Sequence, residues 1–177
     1  MRRFLIQGLV RRPLTESAPQ PEAASRHELA ETLAGVVRAK LGRSLSIRHV
    51  DAGSCNGCEL ELQALSNPFY DLERFGLHFV ASPRHADVLT VTGPVTHNMA
   101  EALRRTYDAM PEPKWVIAIG DCAKDGGCFA ASYAVAGGVA AIVPVDLHIP
   151  GCPPDPTALL KGLLALLEQM DTAVRSG

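Results

Sequence analysis

Four of the five cysteines in this 177-residue chain lie in short glycine-bearing stretches: Cys55 and Cys58 in GSCNGCELEL, Cys122 in GDCAKDGG and Cys152 in IPGCPP. Thiols suit metal ligation, dithiol redox chemistry or nucleophilic attack. A C-x2-C pair alone fits a zinc site, a redox dithiol or an iron–sulfur ligand pair equally well. The choice therefore depends on where the chain delivers Cys122 and Cys152.

Strand-like and helix-like segments alternate from Ser44 onward. Residues 44–50, 77–82, 87–93, 114–120 and 140–149 read as strands. Residues 58–66, 98–110, about 129–136 and 156–170 read as helices. KWVIAIG is almost wholly apolar, as in a strand covered on both faces. PTALLKGLLALLEQM places Leu159, Leu160, Leu163, Leu166 and Leu167 on one stripe, with Pro156 suited to a first turn. An earlier helix is expected to begin at a Ser25/Glu28 capping box, to bury Leu29, Leu33, Val36, Val37 and Leu41, and to stop at Gly42. The alternation predicts βαβ units, that is, an α/β fold with a mainly parallel sheet and helices on both faces. Residues 1–25 read as an arm and linker: a basic, apolar-faced start is followed by PLTESAPQPEAAS. Residues 26–177 then form a single domain.

In an open parallel sheet the loops after the strands share one edge, where such folds bind ligands. Cys55 and Cys58 follow the first strand, Cys122 follows KWVIAIG, and Cys152 follows AAIVPVDLHI, so the topology brings all four to one rim. Gly53, Gly57, Gly93, Gly120, Gly126, Gly127 and Gly151 crowd the same loops, where backbone N–H groups can approach a bound group closely. A cubane held by four thiolates is anionic, and such N–H groups would tune its potential. Pro153 after Cys152 matches the Cys-Pro ending of ferredoxin cluster runs. Structural zinc usually takes two compact C-x2-C knuckles in a small module, whereas Cys122 and Cys152 are single and remote. A dithiol leaves those two unexplained. An inert, packed thiol suits only Cys128.

Composition narrows the partners. The chain is 47% hydrophobic and 20% charged with a net charge of −2, without the basic footprint of a nucleic-acid binder. No apolar run reaches the ~18 residues of a membrane span, and the arginine-flanked start lacks the pattern of a cleaved signal. A cytoplasmic setting, where thiols stay reduced, is expected.

GSCNGCELEL, GPVTHNMAEALRRTYDAMPEPKWVIAIGDCAKDGG and VPVDLHIPGCPPDPTALLKGLLALL together resemble one family over about residues 44–170. It contains the 20-kDa iron–sulfur subunit of respiratory complex I and the small subunit of membrane-bound, energy-converting or formate hydrogenlyase-type [NiFe] hydrogenases. The resemblance implies a flavodoxin-like fold and one [4Fe-4S] cluster on Cys55, Cys58, Cys122 and Cys152. It also implies a large [NiFe]-type (or 49-kDa-type) partner, a ferredoxin-like iron–sulfur partner and membrane-arm subunits. A peripheral location on the cytoplasmic face of the cell membrane follows from the same likeness. Complex I subunits look to have adjacent cysteines where this chain has Asn56 and Gly57 between Cys55 and Cys58, which favours the hydrogenase branch. Asp121, Lys124 and Asp125 depart from the complex I pattern.

The role implied is a one-electron relay inside an oxidoreductase, with no catalytic residue in this chain alone. Glu59 and Glu61 are candidates for a proton relay, against the simpler reading of favourable charge in a first helical turn. His97 and His148 fall near the rim and are expected to be loop or packing residues. A quinone-reducing complex I-type subunit is the alternative. A non-catalytic assembly protein that kept the fold and lost the cluster is the alternative from a different class.

Overall fold

The computed structural model describes residues 23–174. Its frame follows from two-residue periodicity in the strands. In β1 (Leu45–Asp51), Leu45 and Ile47 point to one face and Val50 to the other. In β5 (Trp115–Ile119), Ile117 and Ile119 oppose Val116 and Ala118. Both faces must therefore be covered, and they are. Helix α1 (Ala23–Leu41), helix α2 (Gly57–Ala64) and the last helix, α5 (Pro156–Val174), bury Leu33, Val37, Leu62, Leu159, Leu163 and Leu166 on the first face. Helix α3 (His97–Asp108) buries Leu103 on the second, together with Val91, Val139 and Val143. Each buried leucine contributes about 1.5–3 kcal/mol before chain entropy is counted.

The main sheet adds β2 (Leu77–Phe79), β3 (Val88–Thr92) and β7 (Leu147–Ile149), in the order β2-β1-β3-β5-β7 with every pairing parallel. Counted along the chain, the sheet order is 2-1-3-4-5, the flavodoxin-like arrangement, whose order reverses between β1 and β3. The α/β expectation is thus met, and the strand ends at Asp51, Thr92, Ile119 and Ile149 lie on one edge. A small antiparallel pair, β4 (Val95–Thr96) with β6 (Val135–Gly137), stands apart from it.

Three details differ from the sequence reading. No helix spans 129–136: a short α4 (Asp121–Asp125) and a 3-10 turn over Gly127–Phe129 lead to β6 instead. Gly126 and Gly127 adopt left-handed φ values of 96° and 53°, which ends the helical path there. The last strand covers only Leu147–Ile149 rather than 140–149. Pro144 supplies no donor to the ladder, while Asp146 bonds Val116 with both its backbone N–H (2.9 Å) and its carboxylate (2.7 Å). Helix α1 already includes Ala23, so Ser25 stands inside it and is not its cap. Residues 1–22 of the expected arm lie outside the described residues.

Candidate metal centre

Each cysteine loop is built by a local device that precedes it. After β1, Asp51 Oδ1 accepts the N–H groups of Gly53 and Ser54, both at 2.8 Å, and Ser54 Oγ accepts that of Asn56 at 3.0 Å. These bonds turn the chain through Cys55 into α2, with Asn56 in the left-handed region at φ 70°. After β5, the Gly120 N–H donates to the Ile149 carbonyl at 2.8 Å and extends the β5–β7 pairing past the strand ends. Asp121 and Gly151 then bond twice: the Asp121 N–H to the Gly151 carbonyl at 2.9 Å, and the Gly151 N–H to Asp121 Oδ1 at 3.0 Å.

The result is one cavity of about 70 Å³ lined by Cys55, Cys58, Cys122 and Cys152. Ser54, Gly57, Gly93, Gly151, Asp121 and Pro153 complete its wall. Larger concavities of about 390 Å³ exist elsewhere on the chain, so volume does not distinguish this place and the four thiols do. Gly120 lies just behind the wall: at its φ of 86°, a Cβ would stand 2.8 Å from Cys58 Sγ. Gly93 is equally constrained, since a Cβ there would lie 2.5 Å from the Ser54 backbone. Gly53 packs against Thr96 and does not line the cavity.

The thiols sense one another. Burial pushes the Cys58 thiol from its ordinary value near 9 up to about 12, with Glu59, Cys55, Cys122 and Cys152 adding to the rise. Burial likewise raises Cys122, with Cys128 as its nearest electrostatic neighbour. Four clustered thiols are a good donor set for cationic iron or zinc, which ligates the thiolate and displaces the proton. Among the described residues, no three His, Cys, Asp or Glu side chains converge closely enough to hold a single metal ion. One zinc ion needs four sulfurs at about 2.3 Å. The cavity instead holds several times the ~10–15 Å³ of one water site, which fits a larger group bonded to sulfurs around its edge.

Cys128 departs from the expected inert, packed thiol: it is exposed, and it helps to raise the pKa of Cys122. The six-residue separation in GDCAKDGGC did not signal this, because the Gly126–Gly127 turn brings the chain back. Glu59 also differs from an exposed first-turn charge. It is 7% exposed and accepts a hydrogen bond from Thr92 Oγ1 at Oε1, while Oε2 has no partner. His49 Nε2 lies 3.9 Å from Glu59 Oε1 and 3.4 Å from Thr92 Oγ1, and Nδ1 lies 3.2 Å from Thr90 Oγ1. Burial lowers the His49 pKa against the opposing pull of Glu59 and Asp51. Sequence reasoning missed His49, although it shares the core-facing parity of Leu45 and Ile47. Glu61 is half-buried and outside this group. His148 donates from Nε2 to the Gly120 carbonyl at 3.1 Å, a packing role, and His97 is exposed at the start of α3.

The family described as NADH ubiquinone oxidoreductase, 20 Kd subunit, matches residues 55–166, from the first of these cysteines to the core of α5. The chain belongs to this family. It is therefore a subunit of an oxidoreductase of the hydrogenase and complex I kind. A probable membrane-bound hydrogenase subunit, mbhJ, from Pyrococcus furiosus is 47% identical over 135 residues, covering 76% of this chain and 81% of that protein. Among solved structures, a chain of the membrane-bound sulfane sulfur reductase, an archaeal respiratory membrane complex, matches with 33% identity and a TM-score of 0.65. That match covers 86% of this chain and 77% of the other. Among the described residues no helix is long and apolar enough to cross a membrane.

Proposed function

We propose that this chain is the electron-transfer small subunit of a membrane-bound, hydrogenase-type complex and holds one [4Fe-4S] cluster on Cys55, Cys58, Cys122 and Cys152. The observation that carries the reading is the single cavity lined by four thiols from three separate loops. When bound, the cluster supplies reversible one-electron chemistry. The protein's own residues do the rest. Gly120 leaves room for the Cys58 thiol, Gly93 lets the Ser54 backbone pass, Gly57 and Gly151 bring backbone to the cavity wall, and the paired Asp121–Gly151 bonds fix two loops against each other.

In this reading a large [NiFe]-type subunit covers the open side of the cavity and a ferredoxin-like subunit supplies electrons. Membrane-arm subunits hold the assembly at the cytoplasmic face of the membrane. Leu60 (57% exposed), on α2 with Cys58, is apolar surface for those contacts. The sequence before Ala23, basic and then rich in Pro, Ala and Ser, suits docking. Glu59 is the better candidate of the two acids for handling a proton beside the relay, since it is buried and one oxygen is free to accept a donor. In the intact complex, Glu59→Gln lowers hydrogen turnover about a hundredfold at unchanged iron content, the scale of a lost acid–base group. Unchanged turnover removes that role.

The test of the main reading is to purify the chain with its partners and measure iron, labile sulfide and nickel. About four irons and four sulfides per chain beyond those of the partner subunits, together with nickel, are expected. Iron and sulfide without nickel favour the second reading, a quinone-reducing complex I-type subunit, which the family's own description supports. Iron and sulfide no greater than those of the partner subunits remove both.

A further inference from the structure

Cys122 and Cys152 arrive from different strands, and α4, which carries Cys122, is only five residues long. A helix that short does little to hold its own position, so something else must keep the two sulfurs in register. β5 and β7 pair as far as Ile119 and Ile149, and Gly120 adds one bond beyond them. Past that point the connection is Asp121 with Gly151, joined by a backbone bond of 2.9 Å and a side-chain bond of 3.0 Å. Each of these residues directly precedes a cysteine, and both line the cavity. Gly151 is held at φ 139°, and a Cβ there would stand 2.7 Å from the Pro154 backbone. The loop after β7 thus has little freedom except at its attachment to Asp121.

We infer that the Asp121 carboxylate is a latch that joins the Cys122 and Cys152 loops through the Gly151 N–H and so sets how firmly a sulfur-ligated group is retained. This deepens the proposed cluster-binding role and rests on it. Asp121 is a positioning residue that acts through the two cysteines. The feature that matters is an acceptor oxygen at Oδ1, which asparagine also supplies and alanine does not.

The experiment uses the purified intact complex and measures the rate of iron loss to a ferrous chelator, with the electron paramagnetic resonance spectrum of the reduced cluster as a second readout. In Asp121→Ala, iron is lost about tenfold faster or more, the scale set by losing one hydrogen bond, and the signal broadens. In Asp121→Asn both readouts return to those of the unmutated complex. Retention in Asp121→Ala equal to the unmutated complex overturns the latch, and so does Asp121→Asn losing iron as fast as Asp121→Ala. Should the unmutated complex contain no iron or sulfide beyond that of its separated partner subunits, it is the cluster-binding reading that fails, and the two failures are distinct.

Discussion

Two buried carboxylates sit at opposite ends of β3, and they are treated in opposite ways. Asp87, 6% exposed just before the strand, accepts Arg43 through both oxygens at 2.9 and 2.5 Å and the Ser46 N–H at 2.9 Å. Glu59, 7% exposed against the strand's far end, is bonded by Thr92 through one oxygen and by nothing through the other. Burying a charge is costly unless it is paired and hydrogen-bonded. Asp87 meets that requirement and ties α1's exit to the sheet. Glu59 does not, and it directly follows a thiol that lines the cavity. The N-terminal edge of this sheet is organised for stability, whereas its C-terminal edge leaves bonding capacity open.

The widest separation of the two ends comes from Cys122→Ser. Serine is a hard, weak donor for iron, so the complex loses the iron this chain holds, about four per chain, while the sheet and its melting transition persist, as metal analysis beside circular dichroism would show. Unfolding on this change would mean that the rim carries the fold as well. A matched pair of isosteric changes is subtler. Asp87→Asn turns one acceptor into a donor facing Arg43 and costs about 2 kcal/mol or more in denaturant unfolding. Glu59→Gln removes a poorly satisfied charge and stays within about 1 kcal/mol of the unmutated chain. Equal costs at the two positions would erase the distinction.

The smallest effect is in pH. His49 has a folded pKa below its ordinary value of 6.5, so below pH 6.5 the unfolded chain binds more protons than the folded one. Stability is therefore fully present above 6.5 and declines as pH falls toward the folded pKa. Melting temperatures measured from pH 7.5 down to 5 should decline, and His49→Gln should flatten that decline.

The sheet and the meeting of four cysteines were legible in the sequence because both depend on short-range signals. Alternating apolar residues mark the strands, and a cysteine shortly after a strand goes to the same edge as every other such cysteine. Residues 126–146 were not legible. Small residues there suit a helix locally, but the left-handed glycines and the pairing of Val135–Gly137 with β4 override that preference. Nor was the grouping of Glu59, His49 and Thr92, which depends on β1–β3 register (Asp51 opposite Thr92) and on the way α2 packs across it. Leu45, Ile47 and His49 share one face, so a polar side chain interrupting an inward-facing apolar row was the signal available.

Cys55 and Cys152 are exposed although they line the cavity. A cluster seated there would stand at the molecular boundary, where short distances favour fast electron exchange with whatever touches that face. The same openness would admit dissolved oxygen, so the lifetime of the centre in air would be governed by the neighbouring subunit that shields it.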